Sequence, residues 1–177
     1  DREWPGRGRA PWRERKAGMK RLALALALLA GPAAARDALG VYQGWGAFRD
    51  AAPRRCFAIA EPIRKGSASW RPFASVAHWP LQRIRGQIHV RLSRAVPAGT
   101  IVALGIDGRR FPMVAGSADA WAPDPRTDAA IVAAMRSGQR MSISAISGNG
   151  SRLVDTYMLK GAATAIDAAA LGCARGR

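Results

Sequence analysis

The sequence predicts a mostly β fold: an antiparallel β-sandwich or partly open barrel with one short helix and a C-terminal helix. Three observations carry this. Residues 86–93, "GQIHVRLS", alternate apolar and polar side chains with period two, as a half-buried strand does. Asp107-Gly108 and Asn149-Gly150 each lie between apolar runs and suit two-residue hairpin turns, which need positive φ at both centres. Helical spacing with start and stop signals occurs in two segments, 127–138 and 159–173.

The elements follow in chain order. Residues 1–18, "DREWPGRGRAPWRERKAG", mix Trp, Pro and Arg without a period. They are expected to be a non-native upstream extension with no fold of its own; the rival reading is a basic disordered arm. Residues 19–35 have the parts of a signal peptide. Met19 is a start, Lys20 and Arg21 form a positive n-region, and Leu22 to Ala30 is an apolar h-region. Gly31 and Pro32 break its helix, and alanines 33–35 suit a peptidase that cleaves between Ala35 and Arg36. A membrane span needs about 20 apolar residues, and this run is far shorter. No cysteine stands near the cleavage site to carry a lipid anchor.

Residues 36–177 are expected to form a single domain with one core. "GVYQGWGAF" at 40–48 predicts a first strand with a bend, and "RCFAIAEP" at 55–62 a short strand ended by Pro62. In residues 86–93, Ile88, Val90 and Leu92 share one face, with Gln87, His89 and Arg91 on the other. The first hairpin sets Leu104 opposite Phe111 and Val102 opposite Met113. Pro112 lacks a ladder donor, so its strand is an edge or carries a bulge. A two-residue turn at Asn149-Gly150 pairs Ala145 with Val154, Ile143 with Thr156 and Met141 with Met158 as the core face. Ser144 then meets Asp155 and Ser142 meets Tyr157 on the outer face. A slip of one residue exchanges the faces. Thr127 or Asp128 caps the short helix and Gly138 stops it. In the last helix Leu159, Ile166 and Cys173 fall at spacing seven on one side. The longest irregular pieces are expected at 64–80 and 115–126.

Composition narrows the function. Residues 36–177 hold twenty Lys and Arg against nine Asp and Glu. The cations are spread along the chain, and an exported protein does not meet DNA, so no nucleic-acid role is expected. The plain reading is an Arg-rich solvated surface. If the charge acts, its partner is an anionic envelope component. Cys56 and Cys173, an even pair in an exported chain, predict a disulfide tying an early strand to the last helix. They do not make a metal site: there is no CxxC, and His78 and His89 are distant. No cofactor is expected. Membrane contact is expected only through the cleaved signal peptide.

"YQGWGAF", then "CFAIAEP", then "AAMRSGQRMSISAISGNGSRLVDTYMLKGAATAIDAAALGC" together resemble the invasion-associated locus B family of exported bacterial proteins. Trp45 before an early cysteine strand, the helix end at Ala134 to Gly138 and the "DTYMLKG" tail with a final Cys173 carry the resemblance, which is weakest over 66–93. Met158 stands where the family tail usually has Ser. The resemblance implies a small, mostly β domain sent to the periplasm or beyond, in a family whose founding members are associated with entry into host cells. It implies no catalytic residues, because none are established for the family.

An enzyme would need a constellation that sequence alone does not supply: no GxSxG, HExxH or phosphate loop is present. His78, His89 and Asp155 could be assembled with a serine only by geometry. Asp155 is read as a structural carboxylate, bonded by Ser144 or an Arg, ahead of a ligand contact. Trp45, Trp70, Trp79 and Trp121 are read as core-closing residues ahead of an aromatic binding face. His89 is read as solvated. The expected function is a non-enzymatic, exported cell-envelope protein that binds or supports something at the periplasm or cell surface. A ligand-free structural or stress-tolerance factor and an unrecognised periplasmic enzyme are the alternatives. Trp45, Ser144, Asp155 and Tyr157 are the candidate contact residues.

Overall fold

The computed structural model describes residues 36–64, 69–146 and 150–174. The expected upstream extension, the signal peptide with Ala35, and Asn149 lie outside them. Ten strands are present: β1 (Arg36–Tyr42), β2 (Trp45–Asp50), β3 (Arg55–Ala60), β4 (Phe73–Trp79), β5 (Ile84–Arg91), β6 (Ile101–Ile106), β7 (Arg109–Gly116), β8 (Asp119–Trp121), β9 (Arg140–Ile146) and β10 (Arg152–Met158). Helix α1 spans Pro125–Ser137 and helix α2 spans Ala162–Ala174. The strands form one antiparallel sheet in the order β1-β2-β3-β4-β5-β8-β7-β6-β9-β10. This is the mostly β, antiparallel class with a short and a C-terminal helix that the alternation and turn signals predict. Strand pairing does not close the sheet.

The Asp107-Gly108 turn forms as predicted. Asp107 has φ 44° and Gly108 φ 87°, and Leu104 faces Phe111 while Val102 faces Met113. Pro112 sits where β7 pairs with β6 alone, because the three-residue β8 reaches only Val114 to Gly116. Four expectations change. Residues 40–48 are a hairpin rather than one bent strand: Gln43, at φ 57°, and Gly44 turn the chain so that Tyr42 pairs with Trp45. The segment 64–80 contains β4, a central strand whose Ala74 and Val76 are buried. Phe73, Val76 and Trp79 favour a strand, Ala74, Ser75 and Ala77 weaken the local signal, and burial between two neighbours decides its state. The segment 115–126 contains β8. Helix α1 starts earlier than expected, because Asp124 accepts the Thr127 amide (2.8 Å) and Pro125 occupies the first turn, where a missing N–H costs nothing.

Gly138 does end α1, but at φ −80°, so positive φ is not why glycine is needed. A Cβ there would meet Ile106 Cγ2 at 2.6 Å and the Ala134 carbonyl at 2.9 Å. Close approach selects the residue.

The inner face of the sheet carries the core. Ala58, Val76 and Ile88 form one cross-strand row of it, and Phe111, Leu104 and Ile143 form another. Helix α2 packs on the inner face of β1–β4 through Ala162, Ala165, Ile166 and Ala169. The predicted disulfide joins Cys56 of β3 to Cys173 of α2, with Cα atoms 5.7 Å apart. Helix α1 lies against β5 beyond the reach of β8, and there Asp128 accepts the Ile88 amide (2.8 Å), which has no strand partner. Three outward carbonyls of the last strand are also satisfied. Arg94 reaches Arg152 O, the Ile63 amide reaches Thr156 O, and Trp45 Nε1 reaches Met158 O. These bonds cover much of one sheet edge, where a second chain could otherwise add a strand.

Candidate binding face

The outer face of the sheet divides into a covered and an uncovered half. On β1–β4 it presents Phe48, Phe57 and Trp79. Arg55 lies 4.6 Å from the Phe57 ring centroid and 5.3 Å from that of Trp79, and Arg36 lies 5.3 Å from Phe57. Asp50 holds both guanidiniums, at 2.7 and 2.8 Å. Burial opposes ionisation of Asp50, but hydrogen bonds from Arg36 and Arg55 outweigh it and hold its carboxyl below the usual range. The arginines thus roof the aromatic rings, and Phe57 is left 5% exposed.

At the centre of the sheet the outer face holds a tighter cluster. Trp121 stacks on His89 with ring centroids 5.1 Å apart and planes 6° from parallel. Phe73 meets His89 edge-on at 5.2 Å. Asp119 takes His89 Nε2 at 2.9 Å and Arg91 at 3.6 Å, and Arg91 lies 5.6 Å over Trp70. Pairing builds this group: His89 is opposite Trp121 and Arg91 is opposite Asp119. His89 is therefore clamped between two rings and a carboxylate, not freely solvated as its strand alternation implies. A clamped imidazole orients Trp121, which stays 39% exposed.

Beyond Trp121 no described residue covers the outer face. Val114 pairs with Trp121, and Ile101 pairs with Val114. Ile101 is 80% exposed, Ile146 63% and Val154 54%, with Met158 and Val114 also open. Between them lie small side chains: Ala103 opposite Ser144, and Gly105 opposite Ser142. Arg110, Arg140 and Arg152 stand around this floor, exposed and without an ion-pair partner among the described residues. The surface is apolar, shallow and rimmed by cations. Scattered apolar residues are ordinary on a surface, but a contiguous group of this kind is an interaction feature.

The predicted contact residues fall elsewhere. Asp155 and Tyr157 were expected outside and are inside. Strand β10 pairs Leu153 with Ala145, Asp155 with Ile143 and Tyr157 with Met141, one residue off the predicted register. Ile146 and Arg152 are the outermost pair, so five residues, not two, link the strands. Burying Leu153 and Tyr157 with Met141 and Ile143 removes more apolar area from water than burying Val154, Thr156 and Met158 would. Asp155 comes inside with them, 4% exposed, and accepts the Ser93 amide at 2.8 Å. It is structural, as expected, but through a backbone donor rather than Ser144. Ser144 instead pairs with Val154 and bonds Ala103 O at 3.4 Å. Tyr157 is fully buried, and its hydroxyl has no partner among the described residues. Burial, then the Asp155 charge, push its phenol well above the usual range.

Trp45 is a core residue with its N–H on Met158 O, and Trp70 and Trp79 also find N–H partners in Leu92 O and Gln87 Oε1. Trp121 is the exposed one. His78 lies beside the disulfide; burial, then Arg85 and Arg136, hold its pKa below the usual value. Arg36, the expected first residue after cleavage, opens β1. Among the described residues no three His, Cys, Asp or Glu side chains converge as a metal site. Strand alternation in the sequence marks Val114, Ile101 and Ile146 as outward, and the Asp107-Gly108 hairpin sets Ile101 opposite Val114, but neither reveals that β8 and β9 flank that hairpin.

A search of the curated proteins found no match. Among solved structures the chain is similar to the crystal structure of invasion associated protein B from Bartonella henselae, at 16% identity and TM-score 0.52 over 75% of this chain and 96% of that one. That likeness concerns the fold. The family model described as invasion associated locus B (IalB) protein matches residues 50–170, from the last residue of β2 into helix α2. The chain belongs to the invasion associated locus B family.

Proposed function

We propose that the protein is an exported, non-enzymatic component of a Gram-negative cell envelope, in the periplasm or secreted, that works by binding through its uncovered sheet face. The single observation that carries binding is the apolar surface from Trp121 to Val154, left open among the described residues while the other half of the same face is roofed by arginines. Export is supported by the leader pattern of residues 19–35, by family membership and by the disulfide, which persists in oxidising compartments. No helix among the described residues is long and apolar enough to cross a membrane. His89 meets a carboxylate, yet its ring is held between Trp121 and Phe73, which favours orientation of Trp121 over proton transfer.

Fractionation of the producing cell with non-reducing gels, followed by a pull-down from envelope extract, tests this. The expected result is a processed, oxidised protein in the envelope fraction whose captured material is lost in Trp121→Ala. A reduced cytoplasmic product overturns export. Retention that is indifferent to Trp121 overturns the face.

A further inference from the structure

We infer that the uncovered face of β6, β7, β9 and β10 docks on an anionic lipid bilayer. The inference rests on the envelope-binding reading above and names the occupant. It also extends membrane contact beyond the leader.

Three features select a lipid surface. The first is apolar: Ile101, Val114, Ile146 and Val154 are open on neighbouring strands, with Trp121 at their border and Met158 at the far end beside Arg140. Trp at the edge of an apolar patch suits the water–lipid boundary, where the ring is half dry and its N–H stays wet. The second is the floor of Ala103, Gly105, Ser142 and Ser144, which lets a neighbouring surface approach the sheet. The third is charge. Every one of the nine described carboxylates is already engaged within the fold. Asp37, Asp50, Glu61, Asp119 and Asp167 pair with Arg or His. Asp107, Asp124, Asp128 and Asp155 accept backbone amides. Among the described residues the Arg110, Arg140 and Arg152 guanidiniums are left at the rim without an ion-pair partner, and anionic headgroups complement them.

A second copy of the chain fits less well. An isologous pair on this face would set the rim arginines of one copy against those of the other, and among the described residues the carboxylate beside them, Asp107, is held on the amides of Gln139 and Arg140. Strand addition at β10 is also disfavoured, because three of its outward carbonyls are taken.

The test uses the protein recovered from the producing cell, so that any processing has occurred. It is sedimented with vesicles of phosphatidylcholine alone or mixed with phosphatidylglycerol. Binding is expected to the mixed vesicles and to fall as salt rises. Each of Arg110→Gln, Arg140→Gln and Arg152→Gln is expected to lower partitioning about fivefold. Ile101→Ser with Val114→Ser lowers it about tenfold or more. Brominated acyl chains quench the native emission, and the quenched fraction drops in Trp121→Phe. All these positions are exposed, so the variants should keep the disulfide and the wild-type circular dichroism. Failure to bind mixed vesicles, or variants that bind like wild type, overturns the inference. A dimer in sedimentation velocity that Ile101→Ser abolishes also overturns it and assigns the face to a second copy. If the protein is oxidised, envelope-located and captures material through Trp121 but ignores vesicles, the lipid inference alone fails. A reduced cytoplasmic protein defeats the envelope reading whatever the vesicles show.

Discussion

Replacing both cysteines, Cys56→Ala with Cys173→Ala, removes the one covalent tie between α2 and the sheet. The two residues are 117 apart in sequence. Opening a loop of that size returns about 5 kcal/mol of chain entropy to the unfolded state. A domain of this size has roughly 5–15 kcal/mol in total, so the loss is a large share. At about 2–4 °C per kcal/mol for chains of this length, the melting temperature should fall by about 10–20 °C. The loss should also be uneven. Helix α2 docks through Ala162, Ala165, Ile166 and Ala169, and alanine methyls bury little area, each contributing about 0.8 kcal/mol. Without the tie, amide exchange in α2 should quicken before the sheet opens. Thermal unfolding followed by circular dichroism, with hydrogen exchange read by mass spectrometry, measures both. A double variant that melts within about 3 °C of wild type, or whose α2 exchanges no faster than β4, refutes the account of α2 as a helix held by sulfur.

Asp155→Ala should cost about 1–3 kcal/mol in urea unfolding, because the Ser93 amide is left buried without an acceptor. Asp155→Asn keeps an acceptor and should cost less; equal losses would point to the charge instead. Gly161, the glycine of the "DTYMLKG" tail, has φ 89°, and a Cβ there would fall 2.0 Å from Tyr42 O. Gly161→Ala should therefore destabilise by more than the about 1 kcal/mol of an ordinary glycine substitution, read from the urea midpoint. His78 has a lowered folded pKa, so below its unfolded value of about 6.5 the unfolded chain takes up a proton that the native one resists. Stability should fall as pH drops from 7 to 5, and His78→Gln should flatten that slope in urea melts.

The sequence by itself determined the fold class, the first register and the disulfide. Asp107-Gly108 sets its hairpin because positive φ at both centres is a local demand, met within two residues. Ile88, Val90 and Leu92 declare their face because a strand alternates regardless of what lies beside it. Cys56 and Cys173 predict their own pairing because they are an even pair in a chain with a leader pattern, and the order of landmarks carries the family resemblance. Tertiary structure decided the rest. Strand β4 forms although Ala74, Ser75 and Ala77 weaken its local signal, because β3 and β5 pair its backbone on both sides. The β9–β10 register follows the burial of Leu153 and Tyr157, a balance summed over the whole inner face rather than stored in the turn. Trp121 meets both His89 and Val114 only because β8 inserts between β5 and β7. The candidate face is made of residues from five strands, and which strands adjoin is settled by packing free energy shared across the chain, not by any local pattern.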